Sequence, residues 1–288
     1  MTGKSWEEFC DTLKSAGQII LADEQPDDVL DRTEGFRYLS RLTRAALETY
    51  IEFADPLAPV LNRPVHETAK IGADNPDNYY LGASINAKYD YRIRGNRGTI
   101  HYMSFAAQNQ NFAARETITG GAGHLEDVDL EIAADGSFEI IASQKEQPGN
   151  WLRLAPHTTM VLLRHTFLDR LNWQTVSAQF ECLEADGPPA VLDPRAVGEQ
   201  LMGSAMYAMG CAQWFADWVV EFQSKAPVNH FHLPDEENHR LLGGDPNIRI
   251  WLGLWKLAPD EALVIEATPP NCHYWNFQLG NIWAESLD

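Results

Sequence analysis

Two histidines in similar short runs are the first side chains of this sequence that could do chemistry. His101 begins the run HYMSF at 101–105, and His273 begins the run HYWNF at 273–277. An imidazole titrates near neutral pH, so either ring could act as a general base. We therefore predict His101, His273 and the carboxylate of Asp77 as catalytic candidates. The alternative is that the two histidines share a packing role on repeated strands.

The second run continues into a strand with two different faces. Alternate side chains of a strand point to opposite sides, so the odd-numbered positions of 273–279 would face the core. Tyr274, Asn276 and Gln278 would then lie on the opposite face. A phenol and two neutral amides suit hydrogen bonding to an uncharged, carbonyl-bearing ligand in an apolar pocket. The alternative is a buried network that satisfies neighbouring backbone groups.

Arg164 stands in an otherwise apolar strand, where a charge should have a partner. It could pair with Asp74 or Asp77 of the turn DNPDN at 74–78, or it could bind an anionic ligand group through two parallel hydrogen bonds. An amide and an indole precede it on the neighbouring strand, and a tyrosine follows the turn. The predicted ligand-binding residues are Tyr79, Asn150, Trp151, Arg164, Tyr274, Asn276 and Gln278.

A histidine-rich stretch offers the ligand types of a metal site. His230, His232 and His239 lie close in sequence, with three acidic residues at 235–237. Three or four such ligands would hold a transition metal, but the stretch also suits a solvated surface loop. The glycine run at 120–123 lacks the features of a phosphate or dinucleotide loop, and there is no GxSxG elbow. We predict no cofactor and keep the metal site as an alternative.

The composition restricts the partners of the protein. Its 288 residues include 41 acidic and 22 basic side chains, a formal net charge of -19. Such a charge repels nucleic acid and anionic membrane surfaces. No run reaches the roughly 20 apolar residues of a membrane span, and the first residues lack the basic and apolar regions of a secretion signal. We therefore expect a cytoplasmic protein with a small-molecule ligand.

Three helices and several strands must position these side chains. Apolar residues at three- and four-residue steps indicate the helices, with Ser5 and Asp193 as caps of the first and third. The predicted helices cover 5–22, 29–53 and 194–226. Two strands, 89–94 and 99–105, flank the turn GNRG and predict a hairpin. The other predicted strands are 128–132, 138–142, 158–164, 248–254, 263–267 and 273–279.

The strand-rich regions contain a repeat. GAD at 72–74 and YLG at 80–82 are matched by GGD at 243–245 and WLG at 251–253. The two HY runs lie at nearly the same offset. This self-similarity predicts an internal duplication. Few residues follow the last strand, so we expect an incomplete second copy whose edge is covered by the first copy, the helices or another subunit. We also expect the natural chain to continue past Asp288.

Several segments resemble the bacterial domain-of-unknown-function family 1214. They are GADNPDNYY at 72–80, GNWL at 149–152, Leu163-Arg164 and YWNFQ at 274–278. The resemblance covers most of the chain from about Asp31, and the closing strand is also similar to the sister family 1254. It implies a pair of jelly-roll-like β modules and no established activity. Members of the family usually run beyond the last residues of this chain.

Together these features predict an α+β, mainly β protein. We expect a helical segment at 1–62, a first jelly-roll-like β-sandwich module at 63–185, a connecting helix at 186–228 and the start of a second module at 243–288, packed on the first. The predicted function is binding of a small, largely apolar, oxygen-bearing metabolite in a β-module pocket. Cofactor-independent lyase, isomerase or hydrolase chemistry would fit. The alternatives are a metal-dependent enzyme and a non-catalytic homo-oligomeric assembly protein.

Overall fold

Among the described residues, three long helices and two four-stranded sheets form, so the predicted α+β class is confirmed. The computed structural model describes residues 3–109, 122–174, 177–185, 193–233 and 244–287. Predictions that fall on other residues, such as His239 and the acidic run before it, lie outside the described part of the chain.

The predicted helices form, with adjusted ends. Asp193 caps the third helix by accepting a hydrogen bond from the backbone N–H of Arg195 at 2.9 Å. Ser5 does not cap the first helix, because that helix begins one residue earlier and Ser5 lies within its first turn. The helices are α1 (Lys4–Ile20), α2 (Val29–Leu47), which continues into a π-helical turn (Glu48–Glu52), and α3 (Pro194–Lys225).

In the part of the chain that the structure describes, eight strands form two sheets. The first sheet has the order β1-β7-β3-β4, and the second has the order β6-β5-β2-β8. Neighbouring strands are antiparallel except for β5 and β6, which are parallel. The strands are β1 (Asn78–Ser84), β2 (Tyr91–Asn96), β3 (Tyr102–Gln108), β4 (His124–Glu126), β5 (Ser137–Ser143), β6 (Trp151–Arg153), β7 (Met160–Thr166) and β8 (Gln179–Cys182).

The two sheets share one apolar core. Phe105 and Leu163 of the first sheet and Ile93 and Ile140 of the second are fully buried in it. The three helices enclose a separate core, to which α3 contributes small side chains and Phe215. Each half of the protein therefore has its own apolar interior, in keeping with a layered α+β architecture.

Two predictions for the strands before α3 are wrong. The hairpin over 89–105 does not form, because β2 pairs with β5 and β8 whereas β3 pairs with β7 and β4. The turn between them therefore crosses from one sheet to the other. β3 is buried on both faces and fits the centre of a covered sheet, whereas β2 alternates between buried and accessible side chains. The strand at 128–132 is replaced by a turn in which Val128 is exposed.

The strands predicted after α3 do not form regular ladders within residues 244–287. Two isolated bridges join His232 to Leu252 and Gly280 to Ser286. The predicted core face of 273–279 is also wrong, since Trp275 and Phe277 are 63% and 55% exposed. The polar side chains of this segment face the protein instead, because the polar loop 74–78, before β1, offers them hydrogen-bonding partners.

The C-terminal residues dock among the helices. Trp283 is buried, stacks on Tyr38 with ring centroids 6.4 Å apart, and donates its indole N–H to the backbone oxygen of Asp31 at 2.8 Å. Ser286 donates two hydrogen bonds of 2.9 Å to the carboxylate of Asp74, from its backbone N–H and its hydroxyl. These contacts fix the end of the described chain against both the helices and the loop before β1.

Gly35 should be intolerant of a side chain. A Cβ atom at this position would lie 2.6 Å from both Ile20 Cγ2 and Trp283 Cζ2. We expect Gly35→Ala to lower the free energy of unfolding by about 1–2 kcal/mol, because overpacking outweighs the gain in helix propensity. Gly17→Ala is the matched control, since its Cβ would meet Phe36 at an ordinary 3.7 Å. Chemical denaturation should show the control to be neutral or stabilised; equal stability of both variants would contradict the docking of Trp283.

His165 should make the stability of the protein depend on pH. Its ring is fully buried beside Phe105, and neither ring nitrogen has a hydrogen-bond partner among the described residues. Burial lowers the pKa of this imidazole from 6.5 to about 4. As the pH falls from 6.5 towards 4, this imidazole is protonated in the unfolded chain but stays neutral in the folded chain. The free energy of unfolding therefore decreases over this pH range.

The measurement is urea unfolding at neutral pH and at pH 5. We expect His165→Leu to reduce the loss of unfolding free energy between these conditions by roughly 2 kcal/mol. The exposed His157 provides the control, because His157→Gln should leave the pH dependence as it is in the wild type. An unchanged pH dependence in His165→Leu would show that this imidazole is solvated or bonded.

Candidate functional site

An open cavity lies at one end of the two sheets. Its volume is about 480 Å³, and its lining comes from the connection between β2 and β3 and from segment 167–173, which follows β7. Apolar side chains of Ile100, Phe167 and Trp173 lie beside the imidazole of His101. The lining is mixed, because it also includes the side chains of Arg97, Thr99, Asp169 and Asn172. A cleft of this size suits a small molecule.

His101 is held in the cavity wall by two hydrogen bonds. Its backbone N–H donates to the oxygen of Thr166 at 3.0 Å, which places it beside the end of β7. Its Nε2 lies 2.7 Å from the backbone oxygen of His273. A carbonyl oxygen can only accept, so Nε2 carries the hydrogen and the neutral ring keeps an unprotonated Nδ1. The predicted catalytic pair is thus brought together, with one ring as candidate base and the other residue supplying a backbone oxygen.

An aromatic cluster forms the apolar wall. The ring of Trp173 lies 4.9 Å from that of Phe167 and 5.0 Å from that of Tyr79, measured between centroids. The guanidinium of Arg63 lies 4.2 Å from the centroid of Tyr79 on its face. Tyr79, predicted to bind the ligand, therefore supports the cavity wall from behind and is not part of the lining.

The charged side chains at the cavity already have partners. Arg97 donates to the carboxylate of Asp127 at 2.5 Å and to the backbone oxygen of His101 at 3.0 Å. Asp169 accepts hydrogen bonds from the backbone N–H and the side chain of Asn172, and the side-chain bond is the main cause that lowers the pKa of its carboxyl group. The cavity therefore combines a neutralised guanidinium with a carboxylate that stays ionised.

The predicted polar face of the C-terminal segment binds the protein itself. We call this contact the seam; it joins loop 74–78 to residues 274–278. Tyr274 donates to Oδ2 of Asp77 at 2.6 Å, Asn276 donates to the side chain of Asn75 at 2.9 Å, and the third polar side chain, Gln278, donates to a backbone oxygen at 2.9 Å. None of these three lines the cavity. Burial raises the pKa of the Tyr274 phenol.

Asp77 connects the seam to the cavity. Besides accepting from Tyr274, its carboxylate forms an ion pair with Arg170, which lies in the segment that lines the cavity. Its backbone oxygen accepts from the N–H of Phe167 at 3.0 Å. Asp77, predicted as catalytic, therefore holds the cavity segment in place with a carboxylate that faces away from the open space.

Arg164 lies on the outer face of the first sheet, in register with Tyr80 and Ser104, and is nearly buried. Its charge acts on Asp245. Asp245 also lies 3.1 Å from Nε2 of His124. Burial raises the pKa of Asp245, but the hydrogen bond and charge of His124 and then the charge of Arg164 hold it below its usual range.

Asn150 and Trp151 lie on the second sheet, apart from the other predicted ligand-binding residues. Asn150 donates to the backbone oxygens of Glu131 and Glu139, at 3.0 and 2.9 Å. The indole N–H of Trp151 lies 3.2 Å from the backbone oxygen of Ser143. Both side chains therefore satisfy backbone groups next to β5, and the structure does not bring them to the cavity.

The histidine-rich stretch is only partly described. Nδ1 of His230 lies 3.1 Å from the backbone oxygen of Val228, and the backbone of His232 pairs with Leu252. Within the described ranges, no three His, Cys, Asp or Glu side chains are grouped as metal ligands. In the same part of the chain, the helices are too short or too polar to cross a membrane.

Sequence reasoning missed most of the cavity lining. Thr99, Asp169 and Trp173 lie in two connections that are distant in sequence and meet only when β3 and β7 pair. A local signal was present in the run LDRLNW at 168–173, where a turn-forming aspartate and an aromatic residue follow a strand. That signal predicts a turn, but it does not indicate what the turn faces.

Comparison with known structures reveals a relative across the whole chain. An uncharacterized protein from Burkholderia cenocepacia, known from a crystal structure, matches at a TM-score of 0.91 and 43% sequence identity, over 100% of this chain and 79% of that chain. The chain therefore belongs to the same family as that protein. A Vibrio parahaemolyticus protein matches at a TM-score of 0.34 and 12% identity, over 74% of this chain and 63% of that chain, too weakly to support a conclusion. No family model and no curated protein matches.

The seam should contribute measurably to stability. A hydrogen bond from a phenol to a carboxylate that is partly shielded from water stabilises more than a neutral one, so we expect Tyr274→Phe to lower the free energy of unfolding by about 1–2 kcal/mol. Tyr89→Phe, outside the seam, is the matched control. A double-mutant cycle with Asp77→Asn should give a coupling energy well above error; additive effects would mean that the two side chains do not interact.

Proposed function

We propose that the protein binds a small, largely apolar, oxygen-bearing molecule in the cavity beside His101. One observation carries the proposal. Nε2 of His101 is bonded to a backbone oxygen at 2.7 Å, in the wall of a cavity of about 480 Å³. The bond leaves Nδ1 as the basic nitrogen, and the neighbouring aromatic wall supplies apolar surface for the rest of the molecule.

The proposed chemistry is proton transfer without a cofactor. Nδ1 of His101 takes a proton from the bound molecule, and the imidazolium that forms keeps its Nε2–H bond to the oxygen of His273. Return of the proton to another atom would give an isomerase, and its delivery to a leaving group would give a lyase. Abstraction from a water molecule would give a hydrolase. Asp77 acts as a positioning residue, through Arg170 and Tyr274.

We also propose that the chain contains a duplicated, jelly-roll-like module, as in family 1214. A tyrosine of each copy contacts the other copy, which supports this. Tyr102, in the first copy, donates to Asp245 of the second at 3.2 Å, and Tyr274, in the second copy, donates to Asp77 of the first at 2.6 Å. The two tyrosines occupy the same place in the repeated runs. Their partners are not equivalent in the repeat, because Asp245 corresponds to Asp74 and not to Asp77, so the contacts link the two copies without a two-fold relation.

Exposed aromatic side chains favour a second candidate, a non-catalytic assembly protein. Trp251, Trp255, Trp275 and Phe277 are each about half exposed or more, on segments that follow α3. Contiguous exposed apolar surface commonly marks an interaction site. This candidate predicts that the native assembly has a mass above that of one chain and retains no small molecule. The proposed binding function instead predicts that a small molecule is retained.

The test is native mass spectrometry followed by hydrogen exchange of the ligand. Protein purified without affinity metal should carry an organic mass that is lost on denaturation. That molecule, returned to the protein in deuterated water, should gain deuterium with the wild type and with His157→Gln. With His101→Gln, which can still donate to the oxygen of His273, exchange should fall at least a hundredfold, the usual size of a general-base contribution. A molecule that exchanges equally with all three proteins would exclude His101 as the base. An oligomer that retains no small molecule would favour the assembly protein.

A further inference from the structure

Two side chains from the connection between β2 and β3 offer hydrogen bonds at the cavity, one as an acceptor and one as a donor. The acceptor is Nδ1 of His101, left unprotonated by the bond of Nε2 to a carbonyl. The donor is the hydroxyl of Thr99, which accepts from the backbone N–H of Gln174 at 3.1 Å. A hydroxyl that has accepted one hydrogen bond still has its own hydrogen to give. Both side chains line the cavity.

The charges at the cavity disfavour an anionic ligand. Arg97 is already bonded to Asp127, so its charge is compensated. Asp169 is a carboxylate whose pKa is lowered by its bond from Asn172, and it remains negative. The whole chain carries a formal charge of -19, which repels anions at longer range. A neutral ligand meets no such opposition.

The wall of the cavity favours a planar ring. Trp173 meets Phe167 edge to face, at an interplanar angle of 63°, and meets Tyr79 at 55°. Aromatic rings prefer tilted and edge-to-face neighbours at these separations, and each such pair adds to the stabilisation from buried area. A flat ring placed in the open space would extend this cluster, whereas a puckered aliphatic ring of equal size would gain only the buried area.

We infer that the cavity binds an aromatic alcohol, whose hydroxyl donates to Nδ1 of His101 and accepts from the hydroxyl of Thr99 while its ring packs on Trp173. This rests on the proposed function, since it assumes that the cavity is the ligand site. It adds the chemical class of the ligand. A hydroxyl is the small neutral group that satisfies both partners with one oxygen atom.

The first experiment compares four probes of one shape by isothermal titration. They are β-naphthol, its methyl ether, the β-naphthoate anion and decahydro-β-naphthol. We expect β-naphthol to bind several-fold more tightly than the ether, which cannot donate a hydrogen bond to Nδ1 of His101. The naphthoate and the decahydro compound should also bind at least several-fold more weakly. Equal binding of naphthol and ether, or tightest binding of the anion, would overturn the assignment.

The second experiment locates the probe with variants. Thr99→Val and His101→Gln should each weaken the binding of β-naphthol several-fold. Thr99→Ser keeps the hydroxyl and should bind β-naphthol about as tightly as the wild type does. His157→Gln, on the surface, should bind as the wild type does. Unchanged binding in Thr99→Val and His101→Gln would place the probe elsewhere and refute the inference.

The two proposals fail in different ways. One outcome is a retained natural ligand that lacks an aromatic hydroxyl but still exchanges hydrogen through His101. This result would refute the aromatic alcohol as the ligand class and would support the proposed binding function. Failure of every probe, together with a bare subunit in native mass spectrometry, would remove both. Selective binding of β-naphthol that depends on Thr99 and His101 would support the ligand class whether or not a molecule survives purification.

Discussion

The docking of the C-terminal residues is the constraint on which the candidate site depends. Trp283 fills the core of the helices, and Ser286 donates two hydrogen bonds to the buried carboxylate of Asp74. With its end fixed in this way, segment 273–278 must run along the loop before β1. Its first carbonyl then meets the imidazole of His101. The tautomer of His101 is therefore set by a segment that is anchored among the helices. A substitution that weakens this anchor should also change the hydrogen bonding of His101 at the cavity.

Two opposing free-energy contributions to the orientation of segment 273–278 are similar in size, so the register fixed by its C-terminal anchor decides which face points inwards. Turning Tyr274 and Asn276 inwards satisfies polar groups of loop 74–78, each of which would cost about 1–3 kcal/mol if buried without a partner. Leaving Trp275 and Phe277 outside forgoes about 1.5–3 kcal/mol of burial for each side chain. Neither effect dominates. The anchor at Trp283 decides between them, because a shift of one residue in an extended chain exchanges its two faces.

The sequence contains enough information for the helices but not for the cavity. Apolar periodicity and the cap at Asp193 are local, so α3 begins where they predict. Sheet membership is not local: 89–94 and 99–105 look like a hairpin, yet the two strands find partners in different sheets. His101 could be identified from its repeated run. Trp173 could not, because its relation to His101 exists only after β3 and β7 have paired, and no spacing along the chain records that pairing.

The partner of His101 explains which molecules its imidazole could deprotonate. A carboxylate behind the ring would place a full negative charge beside the imidazolium and stabilise it strongly. Here the partner is the backbone oxygen of His273, which offers only a dipole. The nearby carboxylate of Asp77 is committed to Arg170 and Tyr274 and holds the loop in place. A base supported in this way is better suited to a comparatively acidic group, such as an aromatic hydroxyl, than to an ordinary alcohol. Geometry and chemistry therefore point to the same restricted range of ligands.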